Sequence, residues 1–343
     1  MQRYPTPPER PRLLFTADRS NGDLAGRRDL IRVAHGSYMF IPDRDTPTWR
    51  LKELVTLARC EAALRASPSA IALTHEAAVV VLGLPVLESE PCIRLAVPGN
   101  RSRSTIVFPT VRYGPPEGRR RGRSVTLLRS TTAPAPEEVV NVGGLRVTTP
   151  LRTAMDCAFD LPVRESLPVV DAALRAVCRP DRFNRRCYGE MEIDAARERL
   201  MRMVESQGRR HGKRRARVAV ALADPFAESP GESVLRWAVG VAGVAEPVTQ
   251  RRWIGDDAHE YFLDVAVDSA MVDLEFDGYG KLATSADVRA EKQREMVLRR
   301  GGWAVHRFEW RELADPERLV RRVESLFPPQ VMRGVRHRRD LWL

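Results

Sequence analysis

The segment MVDLEFDGYGK, residues 271–281, sets three carboxylates, Asp273, Glu275 and Asp277, between apolar neighbours in a stretch with the alternation of a buried strand. Upstream, EYFLDVAVDS alternates in the same way. A two-residue loop at Ser269 and Ala270 pairs Asp268 with Met271, Val267 with Val272, Val265 with Leu274 and Leu263 with Phe276. The same register sets Asp264 opposite Glu275, and a slip by one residue would mix the faces. Side chains opposed in this way have Cβ atoms about 4.5–5.5 Å apart, where like charges repel. A divalent cation, Mg²⁺ with Mn²⁺ as its substitute, is the natural neutraliser, because it takes oxygen ligands and leaves positions for water and a phosphate.

Two neighbours bear on that reading. ESPGESVLRW starts a helix with Ser229 at the N-cap, Pro230 at the first helical position and Glu232 at the third. Glu232 therefore completes a capping box, and from the helix end it also reaches towards the carboxylates. After the hairpin, SADVRAEKQREMVLRR reads as a helix, Gly301 and Gly302 stop it, and Trp303 to Phe308 read as a third strand. On that helix Lys292 shares a stripe with Val288 and Met296. It is either a snorkelling lysine or an ammonium aimed at the metal, where it would stabilise charge on a phosphate or activate a water.

The elements that must position these residues occupy only the last third of the chain. At 343 residues two or three domains are expected. A formal charge of +11, from 56 Lys and Arg against 45 Asp and Glu, favours a polyanionic partner, here DNA. Five scattered cysteines form no C-x-x-C pair, which points away from a disulfide framework or a zinc site. No long apolar run is present, so a membrane partner is not expected and a cytoplasmic location is.

Residues 1–48 hold a Pro-rich leader, a short basic helix around GDLAGRRDL and a Gly-turned hairpin VAHGSYMFI, the outline of a winged helix-turn-helix with Arg27, Arg28 and Arg32 available to phosphates. Residues 49–195 alternate helical periods with short Pro- and Gly-punctuated strands, a small mixed α/β domain. Nothing there has nucleophile, phosphate-loop or metal-ligand spacing; His75 reads as a packed or capping histidine, and Asp156 and Asp171 as helix-surface or capping acids. Residues 196–228 read as a basic linker in which Arg209, Arg210, Lys213, Arg214 and Arg215 could track a phosphate backbone. Residues 229–326 hold the carboxylates, and 327–343 are a basic, disordered tail. The fold class is α/β in the broad sense, an α+β multidomain chain.

The order Glu232, Asp264, Glu275-x-Asp277, EKQRE and GGWAVHRF resembles the restriction-endonuclease-like nuclease fold, in the branch of the very-short-patch-repair endonucleases, over roughly residues 225–325. The resemblance implies a C-terminal sheet flanked by helices, metal on Glu232, Asp264 and Glu275, and a lysine two positions after Glu275. Here that position is Asp277, so Lys292 or Lys281 would have to serve. Residues 10 to about 175, with HGSYMFIP, THEAAVVVLGLP and RVTTPLRTAMDCA, resemble the antitoxin of abortive-infection type IV toxin–antitoxin systems, which implies a DNA-binding autorepressor with a toxin or defence-system partner. Two functions follow. One is a Mg²⁺-dependent DNA endonuclease, with Glu232, Asp264, Glu275, Asp277 and Lys292 as catalytic residues. The other is an antitoxin-like regulator with a degenerate nuclease fold.

Overall fold

The computed structural model describes residues 8–16, 24, 27, 29–43, 45–99, 105–114, 118, 120–130, 132–244, 246–278 and 285–343. The chain divides into two units, 1–156 and 157–343. Both mix helices with sheets, an α+β multidomain architecture.

The first unit opens with β1 (Leu13–Phe15), β2 (Leu30–Ala34) and β3 (Ser37–Phe40), an antiparallel sheet of order β1-β3-β2. Gly36, at φ 62°, makes the β2–β3 turn expected from the sequence. Leu30, the last residue of the stretch expected as a basic helix, begins β2, and Val33 and Met39 are buried from opposite strands of the hairpin. Among the described residues no helix precedes α1 (Thr48–Ala66); most of GDLAGRRDL, the stretch expected as the basic helix of a winged helix-turn-helix, lies outside them.

Beyond α1 come β4 (Ala72–Thr74), α2 (His75–Val81), β5 (Ile93–Ala96), β6 (Ile106–Val107), β7 (Arg112–Tyr113), β8 (Arg120–Arg121), β9 (Thr126–Ser130), β10 (Val139–Val142), β11 (Leu145–Thr148) and α3 (Pro150–Asp160). Six of these strands form a mixed sheet of order β10-β11-β4-β5-β9-β6, and β7 and β8 form a separate ribbon. Ion pairs between buried side chains sit inside this unit. Arg59 and Glu90 pair at 3.4 Å, and Glu90 also accepts from the Tyr113 hydroxyl at 2.7 Å. Arg152 pairs with Asp156 at 2.9 Å, so Asp156 is buried rather than a surface acid. His75 is buried as well, its Nε2 2.9 Å from Arg94.

The second unit holds α4 (Val163–Cys178), α5 (Ile193–Ser206), α6 (Lys213–Leu222) and α7 (Pro230–Ala242), then β12 (Val248–Ile254), β13 (Glu260–Val267), β14 (Val272–Phe276), α8 (Ser285–Arg300), β15 (Ala304–Phe308), α9 (Trp310–Leu313) and α10 (Pro316–Ser325). Its sheet runs β12-β13-β14-β15, with β15 parallel to β14. The stretch expected as a basic linker is thus largely α5 and α6, which pack on each other and on α4.

Helix α7 is apolar nearly all round, with all but Gly240 of its residues buried, so it forms the centre of the unit. It packs on α4, α10 and the sheet. Asp171 on α4 binds it through Arg236 at 2.8 Å and Ser233 at 2.7 Å. Asp171 is therefore buried too, and burial raises its carboxyl to about 6 despite the arginine.

The tail is docked rather than disordered. Trp237 Nε1 donates to the Leu341 carbonyl at 2.8 Å, the Trp237 and Trp342 rings meet edge to face at 5.1 Å, and Leu341 is buried. Deleting residues 338–343 should strip one buried leucine and two hydrogen bonds, those of Trp237 Nε1 and of the Val241 carbonyl, from α7, lowering stability by about 4 kcal/mol and shifting tryptophan emission to the red. Chemical denaturation followed by fluorescence measures both.

Candidate functional site

The β13–β14 register is the one the hydrophobic alternation dictates: Val265 faces Leu274, Ala266 faces Asp273 and Val267 faces Val272. The connection differs from a two-residue loop. Asp268–Ala270 is a 3₁₀ turn, and Met271 closes it in the left-handed region at φ 52°. Pairing does not continue as a ladder to Asp264 and Glu275. Asp264 turns its carboxylate into the gap and accepts the Phe276 N–H at 3.2 Å, which takes the place of a strand hydrogen bond.

The start of α7 brings Glu232 to the same place. Ser229 caps the helix by accepting the Glu232 N–H at 3.2 Å. Gly231 lies so close to Phe276 that a Cβ would come within 2.2 Å of its ring, so only glycine lets the helix approach β14 this closely. Glu232 is 4% exposed and accepts from Glu228 N–H at 2.8 Å and Gln250 Nε2 at 3.3 Å. The same Gln250 nitrogen donates to Asp264 at 3.1 Å. Gln250 is buried on β12 with φ 49°, a strained conformation for a residue with a side chain, and it ties Glu232 to Asp264. Only its deviation from strand alternation between Thr249 and Arg251 could have marked it in the sequence, and that signal is faint.

Asp264, Glu275, Phe276 and Asp277 line one cleft with Glu291, Arg294 and Arg307. Arg294 pairs with Glu275 Oε1 and donates to the Phe262 carbonyl at 2.8 Å. Arg307 donates to Glu275 Oε2 at 3.4 Å and also pairs with Glu291. Behind them Asp273 is 0% exposed; its Oδ1 accepts the Val265 N–H at 3.3 Å, and its Oδ2 has no hydrogen-bond partner among the described residues.

Four carboxyl groups thus converge where α7 meets β13 and β14. Burial first, then the charges of Glu275 and Asp264, push the Asp273 carboxyl well above its ordinary range. Burial and the neighbouring Asp264 lift Glu232 to about 7. A shift of these two groups towards the neutral form and the guanidinium groups on Glu275 both lower the cluster's charge. In this arrangement the residues do not offer a Mg²⁺ or Mn²⁺ ion a set of open oxygens: Glu275 is held at both oxygens by arginines, and Asp264 at both by Gln250 and the Phe276 N–H. Among the described residues no group of three or more His, Cys, Asp or Glu is arranged to hold a metal.

Lys292 is not brought to this cleft. It is exposed, and Met296 on its stripe is exposed as well, whereas Val297 and Leu298 are buried. Helix α8 therefore presents Glu291, Arg294 and Leu298 to the sheet, a phase about a quarter turn or more from Lys292. Asp277 lines the cleft but is exposed, and Lys281 lies outside the described residues.

The expected phosphate-binding residues divide. Arg27 binds the Asp29 carboxylate, its Nε 2.9 Å from Oδ1, Arg32 is exposed on β2, and Arg28 lies outside the described residues. Arg210 pairs with Asp160 at 3.3 Å, Lys213 donates to the Glu205 and Gly208 carbonyls at 2.7 and 3.0 Å, and Arg215 donates to the Phe159 carbonyl. Arg209 and Arg214 are exposed.

Residues 98–206 match the family model of the AbiEi antitoxin C-terminal domain. No curated protein and no solved structure gives a significant match. The matched segment ends before residues 225–325, so it supports the antitoxin resemblance and leaves the nuclease resemblance without a counterpart. Among the described residues no helix is long and apolar enough to cross a membrane.

Arg294→Ala should leave Glu275 with Arg307 alone and cost about 3 kcal/mol, the scale for breaking a largely buried pair. Glu275→Gln in the same chain should recover part of that loss, read from denaturant midpoints. A raised Glu232 means that the folded chain keeps a proton the unfolded chain has released between about 4.5 and about 7. That stabilisation is complete below the lower value and lost as pH rises through the upper one. Glu232→Gln keeps an acceptor for Glu228 and Gln250 without the charge. Above pH 7 it should be more stable than the parent by up to about 3 kcal/mol, with a flatter dependence of melting temperature on pH.

Proposed function

We propose that this chain is an antitoxin-type, DNA-binding regulator that pairs with a toxin protein, and that its C-terminal sheet is a nuclease-like scaffold in which arginine has taken the place of a catalytic ion. The match of residues 98–206 to the AbiEi antitoxin domain carries this reading. The cleft supports it. Arg294 on Glu275 neutralises the charge that would otherwise recruit a cation, and the position two after Glu275, where the nuclease resemblance implies a lysine, holds Asp277. A formal charge of +11 suits a DNA partner.

A second reading rests on one observation, the convergence of Glu232, Asp264 and Glu275. It is the Mg²⁺- or Mn²⁺-dependent endonuclease, and it requires Arg294 and Arg307 to release Glu275.

The regulator should repress a reporter fused to the DNA upstream of its own coding sequence. It should bind that duplex at least about 10³-fold more tightly than an unrelated one in gel-shift titrations. Co-expression with its toxin partner should restore the growth that the toxin alone arrests. Supercoiled and linear DNA incubated with the purified chain in Mg²⁺ or Mn²⁺ should stay intact. Cleavage that disappears with chelator and in Asp264→Ala would establish the endonuclease instead.

A further inference from the structure

Between α4 and α5 the chain RPDRFNRRCY, residues 179–188, interleaves its arginines with one aspartate and two aromatics. The loop is stapled at its base. Pro180 and Cys187 form a β-bridge, Tyr188 N–H donates to the Arg179 carbonyl at 3.1 Å, and Gly189 N–H donates to the Cys178 carbonyl at 2.7 Å. Its tip is held by side chains: Asp181 accepts the Phe183 N–H and Asn184 the Arg186 N–H, both at 2.9 Å, while Asn184 donates to the Tyr188 hydroxyl at 3.0 Å.

This ordered loop displays its aromatic rings rather than burying them. Phe183 is 59% exposed and Tyr188 57%. Phe183 meets Phe262 of β13 edge to face, with centroids 5.1 Å apart, and the Arg182 guanidinium lies 4.8 Å from the Phe262 centroid and 5.3 Å from that of Phe183. Arg182 is pinned by Glu228 at 3.2 Å, and Arg185 by the Thr249 carbonyl at 3.2 Å with its guanidinium 3.5 Å from the Phe226 centroid. Arg179 and Arg186 are exposed and have no acidic partner among the described residues.

We propose that the 179–188 loop binds single-stranded nucleic acid, an unstacked base lying against Phe183 and flanking phosphates pairing with Arg179 and Arg186. A rigid exposed aromatic backed by a second ring is a stacking surface that accepts any base, and exposed arginines of the same loop supply the charge that follows a phosphate backbone. A duplex keeps its base faces stacked inside and has no use for such a ring. The turn is also too short to offer the helix or ribbon that reads a groove. The proposal is independent of the antitoxin reading, since operator repression is a property of duplex DNA.

Fluorescence anisotropy on the full chain tests it, with a labelled oligothymidylate of about 15 nucleotides, a blunt duplex of the same length and a salt series. The single strand should bind. Phe183→Ala should weaken that binding by about tenfold or more while leaving the duplex affinity where it was, and Phe183→Trp should hold it. Arg179→Ala with Arg186→Ala should reduce the salt slope by roughly 0.7 for each phosphate no longer neutralised. All variants should melt with the parent because the residues are exposed. Were Phe183→Ala to melt early, Phe183→Leu, which refills the volume without a π face, takes its place. No single-strand binding, unchanged binding in Phe183→Ala, or an equal loss on duplex and single strand overturns the proposal. So does intact nucleic-acid binding joined to lost capture of the toxin partner, which would assign the loop to a protein.

Discussion

Four carboxyl groups, three of them buried and Asp264 half-buried, are brought together where α7 meets β13 and β14, and their surroundings keep their charge down. The constraint is steric first: Gly231 admits the helix against Phe276, which places Glu232 beside Asp264, while β14 carries Asp273 and Glu275 inward between apolar residues. Ionised carboxylates packed this closely in a medium of low polarity would cost more than the fold can supply. Three devices relieve them. Burial favours the neutral form of Glu232 and Asp273, Arg294 and Arg307 cover Glu275, and Gln250 donates to both Glu232 and Asp264.

The same logic explains where much of the chain's basic charge goes. Arg236 is consumed by Asp171, Arg59 by Glu90 and Arg152 by Asp156, all inside the two units. Arg210, Lys213 and Arg215 tie the turn before α6 to the end of α3 and to the last turn of α5. A guanidinium suits this use because its planar fork satisfies several acceptors at once, as Arg294 does with a carboxylate and a backbone carbonyl. Net charge therefore overstates the cationic surface open to a partner. Arg179 and Arg186, like Arg32 and Arg209, are exposed and are not consumed in this way.

The antitoxin-matched segment runs from the sheet of the first unit through α3, α4 and the whole of α5. Within the second unit its helix α4 supplies Asp171, which fastens the Ser233 and Arg236 side chains of α7. The helix that delivers Glu232 is thus held by an element of the antitoxin-like segment. Scaffold and cleft are one packed body there, and a change at α4 reaches the carboxylates through α7.

Local patterns determined a good deal about this protein. Alternation in EYFLDVAV and VDLEF specifies the β13–β14 register, because a shift by one residue would bury the wrong face. Ser229 and Pro230 specify where α7 starts, since caps depend on neighbouring backbone groups alone. The antitoxin resemblance was legible in short motifs. Which cation meets Glu275 was decided only by tertiary structure. The polar residues of α8 leave its rotation open, and the burial of Val297 and Leu298 turns Arg294 inward and Lys292 out. Leu30–Ala34 became a strand because β3 was there to pair with it, and the tail docked because α7 left Trp237 Nε1 in need of an acceptor. Burial also turned Asp156 and Asp171 from presumed surface acids into internal partners of arginine. A residue's type states which charge it can carry; only the packed fold sets what stands beside that charge and whether water reaches it.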